Sequence, residues 1–369
     1  MTSSATAPHR SPPAEDRDPP AHGPGRTALP GGQRRRSVLI QLAGVFSAGM
    51  GGGGLLDGTP AHAATGRIEL QGHRGARALA PESTLGGFAR ALEVGVDVLE
   101  LDTVVTADDV VIVHHDRRLN PDHTRNADGR WLEGPGRVLR ELRWDELASL
   151  DVGRARPGSR TATIYARQQA MDGERIPSLA QVLELARRTG PESLRLNIET
   201  KLSPLAPDES PSPEVFVGLL LRVLRAGDVL RRSTIQSFDW RTLREVQRQA
   251  PGVPTACLTS QQPSGPGVDD GIWTAGLRRA DLGSVPRMVK AFGAQVWSPF
   301  HGDLSRDALR EAQTLGLTVA VWTVNDPQVM DRMIDWGVDA LITDEPDRAR
   351  QVMAARGLPL PFGRGVPGR

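Results

Sequence analysis

From about residue 68 onward, short apolar runs alternate with helix-length amphipathic runs. Ile68–Gln71, Val98–Val105, Leu194–Glu199, Thr234–Phe238, Thr255–Leu258, Gln295–Ser298, Thr318–Thr323 and Ala340–Thr343 are rich in Val, Ile, Leu and Thr, which predicts strands. Between most of them, apolar residues recur at three- and four-residue spacing. This predicts helices over Thr84–Glu93, Leu179–Arg188, Pro213–Arg225, Arg241–Gln249, Ser305–Leu315 and Pro327–Ile334. Alternating strand and helix imply a parallel sheet with helices packed on it. Eight such units imply an α/β fold closed as a (β/α)8 TIM barrel.

Two regions break the rhythm. Val110–His114 reads as an extra strand, joined to the preceding one by a hairpin turn at Ala107-Asp108-Asp109. Residues 120–177 have no place in the eightfold count and form a long insertion. An insertion of this kind after a barrel strand is expected to shape the active-site mouth.

The chain has 369 residues, 45 basic and 44 acidic, a formal net charge of +1. That balance carries no basic stripe and excludes a nucleic-acid binder. Only Lys201 and Lys290 are lysines. The single cysteine, Cys257, excludes a disulfide scaffold, a Cys-rich zinc site and a CxxC redox pair.

Residues 1–63 read as a separate segment. Residues 1–33 are rich in Pro, Gly, Ser and Ala and are expected to be disordered. Arg34-Arg35-Arg36 then precede a weakly apolar, Gly-rich stretch that ends in the A-x-A pattern Ala61-His62-Ala63. This pattern predicts a twin-arginine-type signal, read by export machinery for folded proteins, and a periplasmic or secreted product. The glycines and Asp57 interrupt the run too often for a spanning helix, so no stable membrane anchor is expected. Gly49–Gly54 fits GxGxxG but follows no strand and carries no nucleotide loop. Residues 64–369 form the barrel.

Ionisable residues collect at the C-terminal ends of the strands, which open on one face of a barrel. The first strand ends in Gly72-His73-Arg74-Gly75, the second carries Glu100-Leu101-Asp102, and the extra strand ends in His114-His115-Asp116. Asn197-Ile198-Glu199-Thr200-Lys201 closes the next barrel strand. Residues i and i+2 of a strand face the same side, so Glu100 points with Asp102 and Glu199 with Lys201. Three carboxylates from two strands suit one hard divalent cation, Ca2+ or Mg2+. His73 and His115 titrate near neutrality and suit an acid/base pair, whereas His114, His123 and His301 read as structural. Arg74 and Lys201 are phosphate-binding types. Together they suggest phosphodiester cleavage. Thr124-x-Asn126-x-Asp128-Gly129 is not a Ca2+ loop, because Thr124 and Pro135 stand at two ligand positions.

These residues sit in segments that resemble the glycerophosphodiester phosphodiesterase family, of the exported bacterial type. The segments are QGHRGARALAPESTLGGFARAL (71–92), VLELDTVVTADDVVIVHHDRRL (98–119), IPSLAQVL (176–183), LNIETK (196–201), QSFDW (236–240), VWTVND (321–326) and ALITDEPD (340–347). The resemblance implies a TIM barrel that hydrolyses glycerophosphodiesters to an alcohol and sn-glycerol 3-phosphate. It implies Glu100, Asp102 and Glu199 as metal ligands and His73 and His115 as general acid and base. It also implies Arg74 on the phosphate with Lys201 beside it, and Trp322 lining the substrate pocket. The glycerol 2-hydroxyl would attack phosphorus, and water would open the cyclic phosphate. One position departs from the family: Ser83 stands where Pro-Glu-Asn-Thr has Asn, next to Glu82. The nearest alternative is a related barrel phospholipase D acting on lysophospholipids or sphingomyelin. A barrel that has lost catalysis would lack a ligand or a histidine, and none is missing.

Overall fold

The computed structural model describes residues 67–263 and 265–363. The arginine cluster, the apolar stretch and the cleavage pattern of residues 34–64 lie outside the described residues. Eight parallel strands close into a barrel: β1 (Glu69–Gly72), β2 (Val98–Val105), β4 (Arg195–Thr200), β5 (Ser233–Ser237), β6 (Thr255–Thr259), β7 (Val296–Pro299), β8 (Thr318–Val321) and β9 (Ala340–Thr343). Pairing of β1 with both β2 and β9 closes the ring. The ninth strand, β3 (Val111–Val113), pairs antiparallel with the far end of β2, outside the ring.

Helices α1 (Leu85–Val94), α2 (Leu179–Thr189), α3 (Pro213–Ala226), α4 (Trp240–Gln249), α5 (Val285–Phe292), α6 (Arg306–Thr314), α7 (Pro327–Trp336) and α8 (Pro346–Ala355) alternate with the barrel strands. Side-chain oxygens of Thr84, Ser178, Asp239 and Asp326 accept backbone N–H bonds at the starts of α1, α2, α4 and α7. Each cap satisfies a donor that the first helical turn leaves without a partner. The strands fall within two residues of the bounds expected from the apolar runs. Helices α5 and α8 complete a set of which the pattern had singled out six.

The main core lies between strands and helices. Leu70, Leu99, Leu101, Ile198, Ile235, Cys257, Trp297, Val319 and Leu341 face outward from the barrel into it. The alternate positions face the lumen. There β1, β2, β4 and β5 carry Glu69, Gln71, Glu100, Asp102, Asn197, Glu199 and Gln236, while β8 and β9 carry Ala320, Ala340 and Ile342. Period-2 alternation therefore gives one half of the barrel a polar interior. The insertion has a smaller core of its own. Leu119, Leu139, Leu142, Leu147, Val152 and Ile176 pack on Val104 and Ile112 of the β2–β3 hairpin. Among the described residues no helix is long and apolar enough to cross a membrane.

Candidate active site

The site begins with a tight turn after β1. His73 donates its backbone N–H to Thr343, and Gly75 donates to Gly72 at 3.3 Å. Arg74 and Gly75 take φ of 51° and 91°. Gly75 has no substitute here, because a Cβ would lie 2.7 Å from the Gly87 carbonyl oxygen. The turn aims the Arg74 backbone N–H at Glu100 Oε2, 2.9 Å away.

The β2–β4 register sets the acidic cluster. It pairs Asp102 with Glu199 and Glu100 with Asn197. Oxygens of Glu100, Asp102 and Glu199 all lie within 4.8 Å of one another, and all three residues are buried. Burial pushes Glu100 well above the usual carboxylate range, and repulsion from Asp102 adds to it. Glu199 is pushed up to about 7 by burial and by Asp102, against the pull of Lys201. Burial opposes the charge on Asp102 too, but Lys201, His115 and Arg74 hold it below the ordinary range. The Lys201 ammonium lies 3.1 Å from Asp102 Oδ1 and 2.9 Å from Glu199 Oε1. Among the described residues neither buried Asp102 oxygen accepts a hydrogen bond, and Lys201 and Arg74 meet them as ion pairs only. Three converging oxygen donors with that deficit fit a hard divalent cation.

The remaining Glu100 oxygen is held from the lumen. Gln236 Nε2 donates to Glu100 Oε1 at 2.8 Å, and Asn197 Nδ2 donates to Gln236 Oε1 at 2.9 Å and to Gln71 Oε1 at 2.8 Å.

Each histidine rests on its own carboxylate. His73 Nδ1 is 2.6 Å from Asp344 Oδ1, and His115 Nδ1 is 2.6 Å from Asp116 Oδ1. Burial opposes the Asp344 charge, yet His73, Arg77 and Arg74 hold its carboxyl down to about 2. An ionised carboxylate only accepts, so His73 carries its proton on Nδ1 and presents Nε2, 4.0 Å from Glu100, to the cavity. Burial and the Arg74 and Lys201 cations push the His115 imidazole down to about 3. Arg74 is fixed by Glu82, whose Oε1 lies 2.9 Å from its Nη1, and Glu82 also pairs with Arg77. Ser83, the departure from the family pattern, has φ of 57°, a left-handed conformation that Asn adopts more readily. Glu82 reaches Arg74 all the same.

Every residue singled out in sequence lies at this C-terminal face. Trp322 is half-buried beyond β8 and meets Phe238 edge-on at 5.4 Å and Phe300 at 5.5 Å. A cavity of about 350 Å3 runs outward from His115, Glu199 and Lys201 past Arg117, Arg118, Glu209 and Trp273. His114 and His123 lie beside the site, with His123 Nε2 3.9 Å from Glu82. Asp344, Asp116, Asn325, Tyr165 and Gln236 were not singled out as site residues. Asp344 ends its strand in an ionisable group, the signal that marked the others, whereas Tyr165 carries no local signal.

Residues 73–348 match the model of the glycerophosphoryl diester phosphodiesterase family. A glycerophosphodiester phosphodiesterase of Caldanaerobacter subterraneus subsp. tengcongensis is 28% identical over 278 residues, 74% of this chain and 93% of that one. A Silicibacter pomeroyi DSS-3 protein named for the same activity is 35% identical, with a TM-score of 0.72 over 79% of this chain and 95% of its own. An Oleispira antarctica phosphodiesterase, solved with the product sn-glycerol-3-phosphate, shares the fold at 20% identity and a TM-score of 0.58, over 78% of this chain and 97% of its own. The motif-bearing strand ends and the matched relatives thus agree, and the chain belongs to the glycerophosphoryl diester phosphodiesterase family of phosphoric diester hydrolases.

Proposed function

We propose that the protein hydrolyses glycerophosphodiesters to an alcohol and sn-glycerol 3-phosphate with a divalent cation and a histidine pair. The observation that carries this reading is the meeting of the buried carboxylate triad, two cations and two carboxylate-backed imidazoles at one barrel mouth. The product in the Oleispira antarctica structure supports the same substrate class.

Arg74 and Lys201 hold the phosphate and spread its charge. Glu100, Asp102 and Glu199 would hold a divalent cation, which would supply charge neutralisation for the phosphoryl group and favour ionisation of the glycerol 2-hydroxyl. His115, kept neutral by burial and its cationic neighbours, takes the 2-hydroxyl proton as that oxygen attacks phosphorus. His73, whose imidazolium burial disfavours and Asp344 supports, gives a proton to the leaving alcohol. The cyclic phosphate is opened by water with the two roles exchanged. Trp322, Phe238 and Phe300 form an apolar wall for the carbon side of the substrate. Export through the twin-arginine route, to the periplasm or beyond the cell, rests on residues 34–64 alone.

The test is release of glycerol 3-phosphate from glycerophosphocholine with Ca2+, with Mg2+ and with EDTA. Metal-dependent release is expected, and the better ion names itself. No release with either ion would move the substrate to lysophospholipids.

A further inference from the structure

The insertion does more than border the mouth. Its segment 160–169 runs across the top of the barrel and is tied to both the first and the last strand ends. Gln169 donates its backbone N–H to the Leu79 carbonyl at 2.9 Å, and Gln168 Nε2 donates to the Arg77 carbonyl at 2.8 Å. Arg167 forms ion pairs with Glu345 and Asp347 beyond β9. Between these ties sits Tyr165, the only tyrosine in the chain. Its hydroxyl donates to Asp344 Oδ2 at 3.0 Å, and its ring lies under the Arg77 guanidinium at 4.5 Å.

Asp344 is the residue that fixes His73. Its Oδ1 faces His73 Nδ1, and its Oδ2 also accepts from Asn325 Nδ2 at 2.7 Å. Oδ2 therefore holds two donors, and Tyr165 is the one that ties the carboxylate to the insertion. Arg77 pairs with Glu82, and Glu82 holds Arg74. One phenol therefore touches the supports of both the acid/base histidine and the phosphate-binding arginine.

We infer that Tyr165 is a positioning residue for the hydrolysis, through which the docked insertion orients His73 by way of Asp344 and steadies Arg74 by way of Arg77 and Glu82. The inference rests on the hydrolase reading above. Tyr165 touches no reacting atom. It acts by narrowing the positions open to groups that do, and a displacement of an ångström at such groups is enough to cost rate.

Two variants and one spectroscopic probe test this. Tyr165→Phe removes the hydroxyl but keeps the ring under Arg77. With glycerophosphocholine and the better ion, kcat should fall about tenfold, with KM and the melting temperature little changed. Tyr165→Leu also removes the ring and should raise KM about two- to fivefold in addition. Because Tyr165 is the only tyrosine, phenolate absorbance in an alkaline titration reports it alone. The charged groups facing the phenol are Asp344, Arg77 and Arg74. Burial and the Asp344 carboxylate disfavour the phenolate, so the wild type should resist ionisation beyond the free value of about 10 while its circular dichroism stays constant. Asp344→Asn should bring the ionisation back toward that value. Wild-type kcat in Tyr165→Phe, or a phenol that ionises near its free value in the wild type, would overturn the inference. A wild type that releases no glycerol 3-phosphate would overturn the hydrolase reading instead, and the titration would still decide the clamp.

Discussion

Asp344 of the last strand end and His73 of the first close the catalytic face across the barrel seam, with Oδ1 and Nδ1 2.6 Å apart. The β1–β9 register brings them together, because it pairs Gly72 with Thr343 one residue before each. Held down to about 2, the Asp344 carboxyl stays ionised throughout the neutral range and keeps the His73 proton on Nδ1. Asp344→Asn removes that charge and lets the imidazole take the other tautomer, so kcat should fall by about 10³-fold. His73→Ala should abolish turnover with the fold intact. Steady-state kinetics beside a circular dichroism spectrum checks both variants; full activity in His73→Ala would remove His73 from the mechanism, and full activity in Asp344→Asn would remove the Asp344 charge from it.

The triad would make cation binding depend on pH. Glu199, pushed up to about 7, is largely protonated at pH 6 and ionised at pH 8. Protons must leave Glu199 and Glu100, which burial raises as well, before their oxygens can serve a cation, so affinity should rise with pH, by up to about tenfold per unit for each proton released. Calorimetric titration with Ca2+ or Mg2+ at pH 6, 7 and 8 reads this without any substrate. Excess EDTA should inactivate the enzyme, and retained activity would contradict the metal site.

The barrel, and the gathering of the candidate site residues at one face of it, were legible in the sequence for one physical reason. Strand and helix have different side-chain periods, and chemistry in this fold collects where strands end. Glu100 with Asp102, and Glu199 with Lys201, declared themselves by i, i+2 spacing on apolar runs. Tyr165 could not be found that way. It lies in a stretch with no period, and only its own contacts with Arg77 and Asp344, and those of Gln169 with Leu79 and Arg167 with Glu345, far away in sequence, place it. Gln71, Asn197 and Gln236 were hidden differently. Each is one polar residue in a different strand, and only the strand register shows that they meet.

The His-Arg-Gly turn is the point where stability and function cannot be separated. Gly75 has φ of 91°, and an added Cβ would approach the Gly87 carbonyl oxygen at 2.7 Å and the Phe88 nitrogen at 3.0 Å. Neither atom is a flexible side-chain end, so the backbone itself would have to move. Gly75→Ala should destabilise the protein by about 3 kcal/mol. It should also displace the Arg74 N–H from Glu100, lowering activity in the fraction that remains folded. Thermal melting and kinetics on the same preparation check the two effects together.

The amide chain in the lumen should govern cation affinity more than stability. Gln236 bonds Glu100 Oε1, Asn197 bonds Gln236 and Gln71, and Gln71 Nε2 donates to Glu69 Oε1 at 2.7 Å. The row ends toward a cavity of about 560 Å3 that Glu69, Gln71 and Asn197 help to line. Asn197 Oδ1 is buried with no hydrogen-bond partner among the described residues, so both of its Nδ2 bonds are what fixes the amide. Gln236→Leu would leave Glu100 Oε1 without its donor and free the carboxylate to rotate away from Asp102 and Glu199. Partners of this kind typically set metal affinity by about 10- to 100-fold, and a loss of that size is expected in calorimetry. Gln236→Glu should weaken binding as well, because a second carboxylate beside Glu100 competes for protons and opposes its ionisation. Unchanged cation affinity in both variants would mean that the Arg74 N–H alone holds Glu100 in place.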